Sequence, residues 1–151
     1  MATTIRLQVD LKEFLRLLAS NSVEYLLIGG YAVGYYGYPR PTGDLDVWIA
    51  ISPENARRVV DALGEFGFTA SAEQFLVENS VVRMGVPPFR LEILTTIDGV
   101  DFSECYAARN TVVIDEVEVS LINLHDLRLN KKASGRLKDL SDLENLPEEQ
   151  S

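Results

Sequence analysis

Hydrophobic residues recur at helical spacing near the start of the chain. Within residues 9–20, apolar side chains stand three and four positions apart, at Leu11, Phe14, Leu15 and Leu18. This spacing places them on one face of a helix, so an amphipathic helix is predicted. A second helix is predicted to begin after Ser52, a favourable N-cap, and to end at Gly67.

Runs of alternating or continuous apolar residues predict the strands. The predicted strands are 23–28, 44–52, 80–86 and 88–96, followed by a hairpin over 111–122 that turns at Asp115–Glu116. Further helices are predicted at 31–38, around 103–110, and over 122–146, where Gly135 is a candidate break. Helices and strands in this order predict an α/β or α+β fold, with a mixed β-sheet and helices packed on it.

Length and composition fit one globular unit. The chain has 151 residues, which favours a single domain; we expect it to span residues 1–146, followed by a flexible acidic tail at 147–151. The net charge of −9 argues against broad, nonspecific binding of nucleic acid. The single cysteine, Cys105, excludes an internal disulfide and a cysteine-rich zinc site. No apolar run reaches the ~18 residues of a membrane span, so we expect a cytoplasmic protein without membrane contact.

The strand over residues 44–52 begins with two acids one residue apart. Side chains alternate along a strand, so Asp44 and Asp46 share one face. Two nearby carboxylates resist joint ionisation unless a cation lies between them, and Mg²⁺ suits one or two carboxylates plus substrate phosphates. A solvent-facing start of a strand is the alternative explanation for this pair of acids.

Nearby residues favour a phosphate site over that alternative. Gly29 and Gly30 lie where a strand meets a helix, and backbone N–H groups at a helix start bind phosphate; a plain tight turn is the alternative. Arg40 and Thr42 add a cation and a hydroxyl just before the acids. Glu92 stands in the middle of an apolar strand, where an acid needs a partner such as a shared metal ion.

The segment GGYAVGYYGYPRPTGDLDVWI resembles the signature of the DNA polymerase beta-like nucleotidyltransferase superfamily. In order, it has a glycine pair, a strand with two alternating aspartates and a third acid on a later strand, here Glu92. Within that superfamily the chain is most similar to small stand-alone proteins near the AbiEii-type nucleotidyltransferases. The C-terminal segment DLRLNKKASGRLKDLSDLENL is similar to another element of those proteins, so the resemblance covers residues 24–146.

The resemblance implies a reaction and a set of roles. Asp44, Asp46 and Glu92 would be catalytic and would bind one or two Mg²⁺ ions, as a nucleoside monophosphate moves from a nucleoside triphosphate to an acceptor. The implied nucleotide-binding residues are Gly29, Gly30, Arg40, Thr42, Lys131 and Arg136, and Lys138 would help to neutralise phosphate charge. The acceptor would be a protein hydroxyl, a tRNA end or a small molecule. A partner protein and a toxin–antitoxin or phage-defence role would fit the same resemblance.

Two positions differ from the superfamily pattern. Tyr31 follows the glycine pair where serine or threonine is usual, and the third acid is Glu92 where these relatives usually have aspartate. These differences support the alternative hypothesis, a catalytically degenerate nucleotide-binding or regulatory protein of the same fold.

The site hypothesis makes two geometric predictions. Asp44, Asp46 and Glu92 should converge on one face of adjacent strands. Lys131 and Arg136 are five residues apart, so on one straight helix they diverge by ~140°. Both can reach one site only if Gly135 breaks the helix.

Overall fold

A six-stranded mixed sheet organises the chain in the computed structural model, which describes residues 7–37, 43–86 and 89–148. The strands are β1 Tyr25–Ile28, β2 Asp44–Ile49, β3 Val81–Val86, β4 Phe89–Leu94, β5 Asn110–Ile114 and β6 Val117–Leu121. Their order across the sheet is β3-β4-β2-β1-β6-β5. Strand β2 lies in the centre, antiparallel to β1 and parallel to β4. The other pairs are parallel for β1 and β6 and antiparallel for β3–β4 and β5–β6.

Six helices connect and cover these strands within the described residues. They are α1 Val9–Ser20, α2 Gly29–Tyr36, α3 Pro53–Phe66, α4 Phe102–Ala107, α5 Leu124–Ser134 and α6 Leu137–Asn145. A 3₁₀ turn at Ala72–Phe75, which the sequence pattern did not predict, buries Phe75 in the core. The predicted α/β architecture with a mixed sheet is confirmed. The predicted acidic tail, residues 147–151, lies partly outside the described residues, and the domain limits stay a prediction.

Local sequence signals explain where the helices begin and end. The side chain of Ser52 accepts a hydrogen bond from the backbone N–H of Asn55, which caps α3 as predicted. Gly67 ends α3 in a left-handed conformation, with φ +108°, that favours glycine. Helix α2 begins earlier than predicted, so the two glycines form its first turn instead of preceding the helix.

The hairpin of β5 and β6 turns at the predicted residues. Asp115 and Glu116 have φ values of +47° and +71°, which is the pattern of a type I′ turn. The twist of such a turn matches the twist of the strands that it joins. The sequence therefore identified this turn correctly from two acidic residues between alternating runs.

The two sheet faces differ sharply in polarity. Leu45, Val47 and Ile93 are buried in the same hydrophobic core as the apolar faces of α1 and α3. The rings of Phe14 in α1 and Phe66 in α3 lie 5.4 Å apart in an edge-to-face contact, which joins these two helices. The opposite face of β2 carries the two acids, so the sheet itself separates the core from a polar cleft.

Part of the polar face is nevertheless covered. Trp48, which alternation along β2 places on the face of Asp44 and Asp46, is buried and donates its indole N–H to the carbonyl oxygen of Thr95. Its ring contacts Phe102 of α4 edge to face at 5.0 Å. Helix α4 therefore covers this end of the face and leaves the end with the acids open. Among the described residues, none of the helices combines the length and the apolar character needed to span a bilayer.

Candidate active site

The register of β2 and β4 brings the three predicted carboxylates together. Asp46 lies directly opposite Glu92, and Asp44 lies opposite Arg90. Residues that pair directly in adjacent strands point to the same side of the sheet. Asp44, Asp46 and Glu92 therefore share one face of adjacent strands, as predicted. The closer convergence that a shared ion requires is not found among the described side chains, and the chemical roles of the three acids stay predictions.

Two of these carboxylates form ion pairs with arginines. Arg90 binds Asp44 through two hydrogen bonds, from Nε to Oδ1 at 3.2 Å and from Nη2 to Oδ2 at 2.9 Å. Arg83 of β3 lies opposite Glu92 and donates from Nε to its Oε1 at 2.7 Å. Within the described parts of the chain, no group of three His, Cys, Asp or Glu side chains is arranged to hold a metal ion. Asp44 and Glu92 are each paired with an arginine instead.

Asp46 has a different environment from the other two acids. Its Oδ1 is buried and has no hydrogen-bond partner among the described residues. Burial raises the pKa of Asp46 to about 7, and a hydrogen bond with Glu92 and the charges of Glu92 and Asp44 contribute in the same direction. The charge of Lys138 opposes this rise. Asp46 therefore holds its proton more tightly than an ordinary aspartate does, because its pKa is raised.

Gly29 makes the position of Asp46 possible. A Cβ atom added at Gly29 would lie 2.1 Å from Oδ2 of Asp46, well inside van der Waals contact. The φ of Gly29 is +70°, which also disfavours any residue with a side chain. The sequence suggested that glycine at position 29 allows a phosphate to come close. The structure shows that the missing side chain leaves space for the carboxylate of Asp46.

The first turn of α2 faces the same cavity as the acids. Gly29 and Gly30 line the cavity, and Ile28 at the N-cap supplies no side-chain hydrogen bond to the helix. The N–H groups of a helix's first turn lack partners inside the helix. Tyr31, the next residue, is buried in the core, and burial raises the pKa of its hydroxyl, with a further contribution from the charge of Asp44.

The C-terminal helix breaks at Gly135, as predicted. Gly135 ends α5 with φ +64°, and Arg136 is the N-cap of α6. Two aspartates of α6, each 1% exposed, receive the nearby basic side chains. Nζ of Lys131 lies 3.2 Å from Oδ1 of Asp139 and 3.2 Å from Oδ2 of Asp142. Nε of Arg136 donates to Oδ2 of Asp139 at 2.7 Å.

This ion cluster refines the predicted role of Lys131. Its side chain is 6% exposed, and its ammonium group is held between two carboxylates. The two carboxylates offset the positive charge of this ammonium group, so it attracts a phosphate only weakly. Arg136, the N-cap of α6, is paired with Asp139 but its side chain is 69% exposed, and Lys138 in α6 is exposed as well, so these two cations are better placed at this corner of the cleft.

One cavity of about 820 Å³ unites most of the predicted site. The predicted residues that line it are Gly29, Gly30, Asp44, Asp46, Glu92, Lys131 and Arg136. Arg40 and Thr42, the other two, lie outside the described residues. The sequence interpretation missed Arg83 as a site residue, although its charge in an otherwise apolar strand was a visible signal. Its contact with Glu92 depends on how β3 pairs with β4, which the local sequence pattern does not specify.

A second cavity of about 550 Å³ adjoins the first. Both cavities are lined in part by Thr96 and Ile97. The second has an aromatic wall and an acidic rim, formed by Trp48, Phe102, Tyr106, Glu24, Glu78 and Asp101. Its described lining includes no lysine or arginine. Trp48 lies two residues beyond Asp46 on the same strand face, which is about 7 Å along the strand.

Comparisons with known proteins support the fold. No protein-family model matches the chain, and no curated protein matches it. Among solved structures, it is similar to a protein from Thermotoga maritima described as a "putative nucleotidyltransferase". The TM-score is 0.60 at 15% sequence identity, over 89% of this chain and 88% of that chain. The chain therefore has a nucleotidyltransferase fold, and its grouping with the AbiEii-type proteins stays a prediction.

Proposed function

We propose that this chain is a nucleotidyltransferase that moves a nucleoside monophosphate from a nucleoside triphosphate to the hydroxyl of an acceptor, with Mg²⁺ as cofactor. One observation carries the proposal: a pair of carboxylates, Asp46 and Glu92, shares a cavity with the first turn of α2 and with exposed cations of α6. Carboxylates, the N–H groups of a helix start and cations in one cleft are the parts that phosphoryl transfer requires.

The carboxylates suit a magnesium ion. Asp46 has a buried oxygen without a hydrogen-bond partner in the described structure, and Glu92 lies beside it. These two residues would hold the ion first, and Asp44 would join them on separating from Arg90. A bound Mg²⁺ would neutralise charge on the triphosphate and on the leaving pyrophosphate.

The other residues of the cleft would place and stabilise the triphosphate. Backbone N–H groups of Gly30 and the rest of the first turn of α2 would bind phosphate oxygens. Arg136 and Lys138 would offset phosphate charge from the opposite side. Arg40 and Thr42, which the sequence assigns to the nucleotide, would act from the loop before β2. Glu92 would accept the proton of the acceptor hydroxyl. At the same time the hydroxyl oxygen would bond to the α-phosphorus, and the bond from that phosphorus to the leaving pyrophosphate would break.

The second cavity provides a place for the acceptor. It lies next to the cleft, and its carboxylates would repel a polyanion such as RNA while attracting a cation. A small, positively charged acceptor with a hydroxyl group therefore fits better than a tRNA end. A basic segment of a partner protein would fit the same chemistry less closely, because the cavity is small.

A cellular role in a toxin–antitoxin or phage-defence pair remains our proposal from the sequence resemblance. It implies a partner protein that binds this chain. Affinity purification of the tagged chain from its own cells tests the idea, and recovery of the chain without a stoichiometric partner would contradict it.

The alternative is a nucleotide-binding protein without turnover. Tyr31 in the core and the two arginines paired with Asp44 and Glu92 favour it. Such a protein would bind nucleoside triphosphates and release no pyrophosphate.

Pyrophosphate release separates the two hypotheses. The purified chain is incubated with Mg²⁺, each common nucleoside triphosphate labelled at the α-phosphate, and a lysate of small molecules and proteins. The enzyme hypothesis predicts pyrophosphate and a labelled product, both lost in Asp46→Asn. Nucleotide binding without pyrophosphate would favour the alternative. Failure to bind any nucleotide would contradict both.

A further inference from the structure

Two arginines of the sheet are placed by strand pairing beside the predicted metal-binding acids. Arg90 is the cross-strand neighbour of Asp44, and Arg83 is the cross-strand neighbour of Glu92. Directly opposed residues have Cβ atoms about 5 Å apart, so the ion pairs follow from the register of the sheet. The backbone therefore places each arginine next to its acid, whichever rotamers the long side chains adopt elsewhere.

The charges on this face form an ordered pattern. Arg90 neutralises Asp44, and Arg83 neutralises Glu92. Asp46 lies beside Glu92, and among the described residues it has no ion-pair partner within contact distance. Lys138 acts on it only through its charge. Arginines therefore hold two of the three carboxylates, whereas the third, Asp46, is buried beside Glu92 and has one oxygen without a hydrogen-bond partner among the described residues.

We propose that Arg83 and Arg90 are exchangeable counter-ions: they hold Glu92 and Asp44 in the empty site and turn to the triphosphate when a divalent cation takes these carboxylates. The inference rests on the proposed function. It adds two residues to the nucleotide site that the sequence resemblance did not assign.

The chemistry of guanidinium supports such an exchange. A planar guanidinium binds carboxylate and phosphate with the same paired geometry, so each arginine has an equivalent partner in both states. The side chains of Arg83 and Arg90 are 64% and 38% exposed, which leaves them room to turn. Arg83 also lines the main cavity. Arg90 interacts electrostatically with all three acids, Asp44, Glu92 and Asp46.

The proposal predicts effects of opposite sign on the two ligands. In Arg90→Gln, Asp44 is released and a repelling charge is removed, so Mn²⁺ alone should bind about three- to tenfold more tightly than in wild type. The same variant has lost a phosphate contact, so a fluorescent ATP analogue in saturating Mg²⁺ should bind about five- to tenfold more weakly. Arg83→Gln should show both effects. Isothermal titration calorimetry measures the affinity for Mn²⁺, and fluorescence anisotropy measures the affinity for the ATP analogue.

Two control variants separate ion-pair exchange from a general change of charge. Lys138→Gln removes an equal charge near Asp46 without opening an ion pair, so it should raise Mn²⁺ affinity less than Arg90→Gln does. Arg58→Gln removes an arginine of α3 that pairs with Glu54 away from the cleft, and it should change neither affinity.

The results also distinguish this inference from the proposed function. Equal Mn²⁺ shifts in Arg90→Gln and Lys138→Gln, or unchanged nucleotide affinity in both arginine variants, would overturn the exchange while wild type still bound both ligands. A wild-type protein that bound neither Mn²⁺ nor nucleotide would overturn the proposed function together with it.

Discussion

Asp46 combines burial with two acidic neighbours, and this combination determines its ionisation. Its pKa rises to about 7 because burial disfavours the charged form, and Glu92 and Asp44 add to the effect. In the unfolded chain the same carboxyl has a pKa near 3.8. The folded protein therefore binds a proton at Asp46 more tightly than the unfolded chain does.

This difference predicts a pH-dependent effect of Asp46→Asn on stability. As pH rises from about 4 to 7, the unfolded state loses this proton first, so the contribution of Asp46 to wild-type stability falls and stays lower above pH 7. The asparagine variant does not lose this stability, because asparagine does not ionise. In metal-free buffer we expect it to be more stable than wild type at pH 8, by on the order of 1–2 kcal/mol, with the difference vanishing near pH 4. Urea unfolding at several pH values measures it. A less stable variant at pH 8 would mean that Asp46 has a structural role.

Gly29 offers a second test at the scale of one residue. In Gly29→Ala the added Cβ would overlap Oδ2 of Asp46, and the φ of +70° would be strained. We expect a loss of about 1–3 kcal/mol in the free energy of unfolding. Gly64 lies on an exposed helical position with nothing within 4 Å of an added Cβ. Gly64→Ala should therefore gain about 0.5–1 kcal/mol, and equal effects of the two variants would contradict this account of Gly29.

The joint between α5 and α6 is the most informative feature at the scale of elements. Gly135 lets the chain turn, and the turn brings Asp139 and Asp142 of α6 onto Lys131 of α5. Burial opposes ionisation of Asp139, yet hydrogen bonds from Arg136 and Lys131 outweigh it and lower its pKa. A lowered pKa means that this carboxylate stabilises the fold above its unfolded pKa near 4, and that the contribution is lost as pH falls through the folded value.

Removing the lysine should cost much of the protein's stability. Lys131→Met leaves two buried carboxylates without their ammonium partner, and we expect a loss of about 3–5 kcal/mol in the free energy of unfolding. Lys132, next to it, is exposed. Lys132→Met should change stability by less than about 0.5 kcal/mol. Chemical denaturation of both variants tests the difference. Similar losses would show that the cluster contributes no more than a surface charge.

At the scale of the whole molecule, ligand binding and folding are linked. A cation that binds only the folded cleft stabilises the protein, by about 1.4 kcal/mol at ten times its dissociation constant. For a chain of this size we expect Mg²⁺ to raise the melting temperature by about 3–6 °C. The rise should be larger at pH 8 than at pH 6, because a proton on Asp46 competes with the ion. Differential scanning fluorimetry measures it. The same rise in Asp46→Asn would place the ion elsewhere.

The tertiary structure also explains why some site residues escaped prediction. The acids of β2 and the acid of β4 were found from their positions in apolar strands, because a charge in such a strand is a local signal. Arg83 became part of the site only through the pairing of β3 with β4. The partners of Lys131 were also hidden, since its burial depends on how α6 folds back on α5.

The sequence by itself determined those features that neighbouring residues control. Alternation along β2 placed Asp44 and Asp46 on one face, Ser52 and Gly67 bounded α3, and Gly135 broke the last helix. Propensity, capping and turn geometry act over a few residues, so a local pattern suffices to predict them. Only the tertiary structure decided that β4 lies parallel to β2, and it thereby set the ion pairs, the raised pKa of Asp46 and the cavity. Those properties depend on distance and burial between segments far apart in the chain.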